Sequence, residues 1–390
     1  MRDVVIVEAV RTPIGRRNGG LSTMHAIDLL GAVQRDLFIR TGVDPLEVGQ
    51  VVGGNVNSFG MQSMNVTRNA WLAAGLPIDA AATTVDAQCG SSQQATNLAY
   101  ALIASGVVDT AVACGVEMMS RVPINAKSDP AYGKPINRTY WKHHEYTSQF
   151  EGSERIAEQW GISRAETDEF GKLSQDRAAQ AWAEDRYATQ VLPIDAPDLD
   201  EEGKPTGTTH RVDRDEGIRE TTLEALAALK PTGRPDGVHT AGTSSQIADG
   251  AAAVLMMTRE KADALGLAPK ATVVDVCLVG SDPAIMLTGP IPATQKLLAD
   301  NKLTVDDIDL FEVNEAFASV VLAWERELKP DRARVNPNGG AIAIGHPLGG
   351  TGSILVTKAV HELERSDGEH ALITMCCGGG LGTGTLLRRG

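Results

Sequence analysis

Residues 83–114, TTVDAQCGSSQQATNLAYALIASGVVDTAVAC, hold two strand-like runs with one helical segment between them. The β-rich run 83–86 ends at a turn, and the run 111–114 has the apolar composition of a buried strand. Between them, apolar residues recur at the i, i+3, i+4, i+7 spacing of an amphipathic helix, at Ala95, Leu98, Ala99 and Leu102. Gly106 is placed to end that helix. Because such runs and helical patterns alternate along the chain, we predict an α/β fold.

Three reactive residues each lie in a glycine-rich turn: Cys89 in DAQCGSSQQA, His346 in GHPLGGTG and Cys376 in MCCGGGLGTG. Cys89 follows the first strand-like run directly, where the N–H groups and dipole of the next helix would favour a thiolate. An imidazole within reach of a thiol can remove its proton, and glycine backbone can present free N–H groups to an oxyanion. We therefore predict an enzyme of acyl transfer.

The C-terminal third repeats the strand, turn and helix plan. A helical pattern follows the turn 349–352, and the run 371–375 is a strand that leads to Cys376. Segments 43–56 and 305–317 also share a helix start followed by a strand. Two similar halves that face each other would bring the three glycine-rich turns to one place.

Composition limits the class of protein. The 390 residues exceed one typical domain, so two or three packed units are expected. A net charge of -14 argues against general nucleic-acid binding, and no apolar run approaches the roughly 20 residues that span a bilayer. We predict no nucleic-acid or membrane partner and no signal peptide. Five cysteines without regular spacing favour reduced thiols in the cytoplasm.

The middle segment, 120–248, differs from the two ends. Its stretch 121–150 holds five Lys or Arg residues and five of the sixteen aromatic residues of the chain. A long basic and aromatic loop is a candidate ligand or subunit contact, and the alternative is an insertion packed on its own domain. Residues 198–207, DLDEEGKPTG, are predicted to form an exposed hairpin tip.

Six segments, in order, resemble the thiolase family. They are VEAVRTPIG (7–15), the Cys89 turn, TAGTSSQIADGAA (240–252), VNEAFA (313–318), NPNGGAIAIGHPLGGTG (336–352) and MCCGGG (375–380). The resemblance covers essentially the whole chain. It implies two similar α/β halves in a five-layered αβαβα core with an inserted loop domain. We place the first half at 1–119 and 249–271, the inserted domain at 120–248 and the second half at 272–390.

The resemblance also implies roles for single residues. Cys89 matches the acylated nucleophile, His346 its base, and Cys376 the acid/base that exchanges a proton with the α-carbon of acetyl-CoA. Asn314 matches a residue that positions a water, and the N–H groups of Cys89 and Gly378 match an oxyanion hole. Coenzyme A is expected as a co-substrate, with no tightly bound cofactor.

Other residues have simpler interpretations. Arg219 and Ser245 fall where the family contacts coenzyme A. Neighbouring residues in a strand point to opposite faces, and the motif has an aliphatic residue after the second cysteine, so Cys377 is assigned to packing. No Cys or His spacing indicates a zinc site, and we predict no metal.

Residues 148–151, Ser-Gln-Phe-Glu, depart from the His-Met pair of biosynthetic acetoacetyl-CoA thiolases. Three segments are more similar to actinobacterial thiolases of steroid and long-chain acyl degradation: SQFEGSERIAEQWGISR (148–164), MLTGPIPAT (286–294) and AGTSSQ (241–246). We predict a homo-oligomeric (dimer or dimer of dimers) degradative 3-ketoacyl-CoA thiolase of fatty-acid or steroid side-chain β-oxidation, which releases acetyl-CoA or propionyl-CoA. The alternatives are a biosynthetic thiolase, a decarboxylating ketoacyl synthase and a non-catalytic thiolase-like carrier of lipid or coenzyme A.

Overall fold

A computed structural model describes residues 2–126, 131 and 133–390. The strands are β1 (Val4–Arg11), β2 (Gly15–Arg16), β3 (Gln50–Gly54), β4 (Ala81–Val85), β5 (Thr110–Met118), β6 (Ile194–Leu199), β7 (Pro205–Val212), β8 (Ala248–Thr258), β9 (Ala271–Gly280), β10 (Leu310–Val313), β11 (His370–Cys377) and β12 (Leu381–Arg389). The helices are α1 (Ala26–Thr41), α2 (Val66–Ala73), α3 (Ser91–Ala104), α4 (Gln149–Trp160), α5 (Arg164–Ala183), α6 (Leu223–Ala227), α7 (Arg259–Ala264), α8 (Pro290–Asn301), α9 (Ala318–Leu328), α10 (Ala341–Ile344) and α11 (Thr351–Ser366).

Each half of the chain contributes one run of paired strands. The first is ordered β4-β3-β5-β8-β1 and the second β9-β12-β11-β10. The two runs meet where β1 pairs with β9, through Val5 with Thr272 and Ile6 with Ala271. Strand β3 is parallel to β4 and β5, and β10 is parallel to β11. Within each half the parallel strands therefore end at the same edge: β3, β4 and β5 in the first half, and β10 and β11 in the second.

The helices and strands form five layers, which pack around three large hydrophobic clusters. Helices α1 and α2 pack on the outer face of the first run of strands, around Trp71 and Leu30. Helices α3 and α11 share a central core with strands of both halves. Helices α8 and α9 cover the outer face of the second run, around Trp324 and Phe311. The predicted α/β fold with an αβαβα core is confirmed.

Helix α3 corrects one detail of the expected packing. Ala95 and Ala99 are fully buried as predicted, but Leu98 is 36% exposed. The buried face also carries Gln93 and Asn97, whose amides bond across the central layer. Gln93 Nε2 donates to the Ile373 carbonyl (2.9 Å), so the helix joins the two halves through polar groups with backbone partners.

The segment between β5 and β8 contains α4, α5, the β6–β7 hairpin and α6. The hairpin tip falls within 198–207, as predicted. Residues 127–130 and 132 of the predicted basic and aromatic loop, which include Lys127 and Tyr132, lie outside the described residues. The proposed domain boundaries stay a prediction. Among the described residues no helix is long and apolar enough to cross a membrane.

Candidate active site

Cys89 lies on a tight turn that connects β4 to α3. Gln88, just before it, adopts a left-handed backbone (φ 52°), and its N–H donates to Asp86 Oδ1 (2.7 Å). Gly90 caps the helix, where a Cβ would lie only 2.6 Å from Cys377 Sγ. The left-handed backbone of Gln88 is strained for a non-glycine residue. Such strain is common where a reactive side chain must be held in one direction. The turn holds the Cys89 thiol near the end of β11 and the start of β12.

The backbone N–H groups of Gly378 and of Cys89 itself lie near the Cys89 sulfur and stabilise its charged form. They lower the pKa of the thiol, but burial outweighs them and raises it to about 11. The expectation that the helix turn would favour a thiolate is therefore wrong: desolvation of the buried sulfur exceeds the gain from the nearby N–H groups. The thiol is protonated at neutral pH, and its ionisation requires a base.

His346 is a buried, neutral imidazole. Burial lowers its pKa to about 4. Its Nδ1 lies 2.6 Å from Thr351 Oγ1, and its Nε2 lies 3.4 Å from Asn314 Nδ2. Asn314 Oδ1 is buried and has no hydrogen-bond partner. This site therefore combines an imidazole that can accept a proton with an amide oxygen that is free to accept a hydrogen bond.

Backbone contacts bring the turns together. The first turn of α3 touches that of α11, where Ser353 N–H donates to Ser92 Oγ (2.8 Å). The buried carboxylate of Glu117 in β5 accepts from Gly349 N–H (3.0 Å), three residues beyond His346. Asn314 N–H donates to the Thr374 carbonyl (3.0 Å), because β10 lies parallel to β11. These bonds place Asn314, His346 and Cys89 around the end of β11.

Both cysteines at the end of β11 are fully buried. Cys376 packs in the outer core of the second half, whereas Cys377 lies against Gly90 and Thr383. Burial raises the pKa of each thiol above its ordinary value, and a charged Cys89 would raise both further. The two side chains diverge as the strand geometry predicts, but both are near Cys89. The assignment of the proton-transfer role to Cys376 stays a prediction.

The two residues expected at coenzyme A are apart from this cluster. Arg219 is exposed and lines a cavity of about 530 Å³ together with Lys172, Gln175 and Thr221. Ser245 is partly buried, and its N–H donates to the Ala316 carbonyl (2.9 Å), two residues after Asn314. The cavity is wide enough for part of a large ligand, and Ser245 lies on the side of the reactive residues.

Three residues that shape the site were not predicted from the sequence: Gln88, Glu117 and Thr351. Glu117 left a signal, since it is the single charge in the otherwise apolar run TAVACGVEM. No group of three or more His, Cys, Asp or Glu side chains in the described part of the chain could hold a metal ion. The site thus relies on thiols, imidazole, amide and backbone N–H groups.

A buried thiol with backbone N–H groups near its sulfur, and a neutral imidazole on a neighbouring turn, is the arrangement of a cysteine-dependent acyltransferase. Family models give the particular family: residues 4–260 match the thiolase N-terminal domain and residues 267–389 the thiolase C-terminal domain. The chain belongs to the thiolase family. Its prediction as an acyltransferase and degradative thiolase is confirmed.

Similar proteins cover the chain fully. It is 43% identical to the steroid 3-ketoacyl-CoA thiolase FadA6 of Mycobacterium tuberculosis, over 100% of this chain and 95% of that protein. It is 41% identical to a beta-ketoadipyl-CoA thiolase of Acinetobacter baylyi, over 100% of both. The crystal structure of the Bacillus anthracis acetyl-CoA acetyltransferase superimposes with a TM-score of 0.91 at 36% identity, and covers 100% of this chain and 99% of that one.

Proposed function

We propose that the chain cleaves 3-ketoacyl-CoA by thiolysis through an acyl-Cys89 intermediate. The observation that carries this proposal is the turn of Cys89, where the backbone N–H groups of Gly378 and Cys89 lie close enough to the sulfur to lower the pKa of its thiol. A thioester carbonyl formed on that sulfur would have its oxygen within reach of both donors. The same two groups serve the tetrahedral intermediates before and after the acyl-enzyme.

In the first half-reaction, Cys89 sulfur attacks the C3 ketone while His346 takes its proton. The C2–C3 bond then breaks, and the electron pair leaves on C2 as the enolate of acetyl-CoA (or of propionyl-CoA from a branched chain). Cys376 donates its proton to C2. Asn314, with its free Oδ1, would hold a water that, together with His346, stabilises the enolate.

In the second half-reaction the Cys376 thiolate takes the proton of incoming coenzyme A, and the new thiolate attacks the acyl-Cys89 carbonyl. Cys89 leaves as a thiolate and regains its proton from His346.

We assign Arg219 and Ser245 to coenzyme A, because the guanidinium of Arg219, which lines a cavity, suits its phosphates. Coenzyme A is thus a co-substrate. We also propose a cytoplasmic homo-oligomer with the domain boundaries given above.

The acyl group is proposed to be bulky. Phe150, at the position where the His-Met pair is missing, packs edge-on against Phe317 with ring centroids 5.6 Å apart. Phe317 lies three residues from Asn314, and Phe150 is 40% exposed. An aromatic wall with an open side suits a large apolar chain better than a four-carbon group. The name of the steroid thiolase relative agrees with this proposal.

The experiment compares kcat/KM for acetoacetyl-CoA, 3-ketoadipyl-CoA and a ring-bearing 3-ketoacyl-CoA. We expect the ring-bearing substrate to exceed acetoacetyl-CoA by about tenfold or more, which is about 1.4 kcal/mol of transition-state stabilisation. Phe150→Ala should reduce that ratio. Trp141→Ala removes an aromatic side chain of the same segment that is 55% exposed, and it should leave the ratio unchanged.

Acyl mass on the Cys89 peptide, after mixing with substrate in the absence of free coenzyme A, should accompany turnover of every accepted substrate. Label only on another cysteine would overturn the mechanism. A preference for 3-ketoadipyl-CoA would instead place the chain with the beta-ketoadipyl-CoA thiolases, and a preference for acetoacetyl-CoA would favour the biosynthetic alternative.

A further inference from the structure

The first residue of α11, Thr351, touches the imidazole of His346. Its hydroxyl lies 2.6 Å from Nδ1 and 3.1 Å from the Pro347 carbonyl, four residues earlier in the chain. Thr351 is only 2% exposed and His346 3%, so both are shielded from bulk solvent. The pair forms because a short helical turn, Leu348–Gly350, folds the start of α11 back against the ring.

The hydrogen bonds around the ring select one tautomer. A threonine hydroxyl has a single proton, and the Pro347 carbonyl is placed to accept it. The oxygen of that hydroxyl is then left to accept a proton from Nδ1. On the other side of the ring, the Asn314 atom that faces Nε2 is the amide nitrogen, a donor. Both neighbours therefore agree with a proton on Nδ1 and a lone pair on Nε2.

We propose that Thr351 is a positioning residue that keeps the His346 proton on Nδ1, so that Nε2 stays the basic nitrogen. The inference rests on the proposed function, in which His346 takes the Cys89 proton. Without the hydroxyl, Nδ1–H would lose its acceptor in a site shielded from bulk solvent, and the tautomer with the proton on Nε2 would gain population. That tautomer cannot accept a proton on the Asn314 side of the ring. Thr351 acts through His346 and touches no substrate.

The test compares Thr351→Val, which keeps the shape and removes the hydroxyl, with Thr351→Ser, which keeps the hydroxyl. Thr357→Val is the matched control: Thr357 is fully buried in the same helix and makes the same kind of bond, to the Ser353 carbonyl four residues earlier (2.8 Å). Two measurements are made on each variant: the rate of Cys89 acylation by acetyl-CoA, and the nitrogen chemical shifts of labelled histidine, which report the tautomer directly.

We expect Thr351→Val to slow acylation by roughly tenfold to a hundredfold, with little change in KM, and to shift the His346 signals toward the Nε2–H form. Thr351→Ser should restore both properties, and Thr357→Val should change neither. Wild-type shifts that show Nε2–H, or unchanged acylation in Thr351→Val, would overturn the inference. Full activity in His346→Gln would instead overturn the proposed base, so the two failures are distinguishable.

Discussion

Replacement of His346 by Gln tests how the buried thiol becomes a nucleophile. Burial raises the pKa of Cys89 to about 11 and lowers that of His346 to about 4. At pH 7 the imidazole is therefore neutral, and only about 1 thiol in 10,000 is ionised. Without the imidazole, attack must wait for that small fraction. We expect the rate of Cys89 acylation at pH 7 to fall by about a hundredfold to ten-thousandfold in His346→Gln.

The pH dependence of the same variant gives a second signature. The thiolate fraction of Cys89 grows tenfold for each pH unit below its pKa, so the His346→Gln rate should rise with that slope between pH 6 and 9. The wild-type rate should stay level there, since His346 is already neutral, and should fall only as the pH approaches about 4.

The assay is rapid quench followed by mass measurement of the acylated Cys89 peptide, with acetyl-CoA as donor. His361→Gln is the matched control. His361 lies in α11 and, like His346, is buried with its pKa lowered to about 4, but it bonds to Thr189 and Ala9, away from the site. A His346→Gln rate within tenfold of wild type, or a level pH profile, would refute the argument.

Two further predictions concern the second half of the chain. Cys376→Ala should lose thiolysis by orders of magnitude yet still permit acylation of Cys89, whereas Cys377→Ala should keep turnover. Steady-state rates measure thiolysis, and the mass of the Cys89 peptide measures acylation. If Cys377→Ala were instead the inactive variant, the strand-face argument would be wrong. Lys358→Met should lower the free energy of unfolding by about 3–5 kcal/mol in urea titrations. The reason is that the fully buried carboxylate of Glu312, which lies 2.8 Å from Lys358 Nζ, loses its partner. Lys296→Met breaks an exposed pair and should cost less than about 1 kcal/mol.

The elements of the fold could be predicted because their signals are local. The α3 helix was found from the spacing of Ala95 and Ala99, and its end from Gly106, which does adopt a positive φ of 84°. The side that α3 buries could not be predicted in the same way. Gln93 and Asn97 carry no apolar signal, and their burial depends on carbonyl groups of strands almost 200 residues or more away in the chain.

The same limit explains what was found and missed in the site. Cys89, His346 and Cys376 stand in glycine-rich turns whose composition is visible in the sequence, and the fold does bring those turns together. Thr351 stands in the same glycine-rich turn as His346, but its role could not be predicted, because it depends on one short helical turn that places a hydroxyl against Nδ1. The pKa of Cys89 was mispredicted for a related reason: the helix start is a local feature, whereas desolvation comes from both halves closing over the thiol. The local sequence pattern thus identifies the reacting groups, whereas burial between the packed layers sets their pKa values. A base such as His346 is then required because burial leaves the nucleophile neutral.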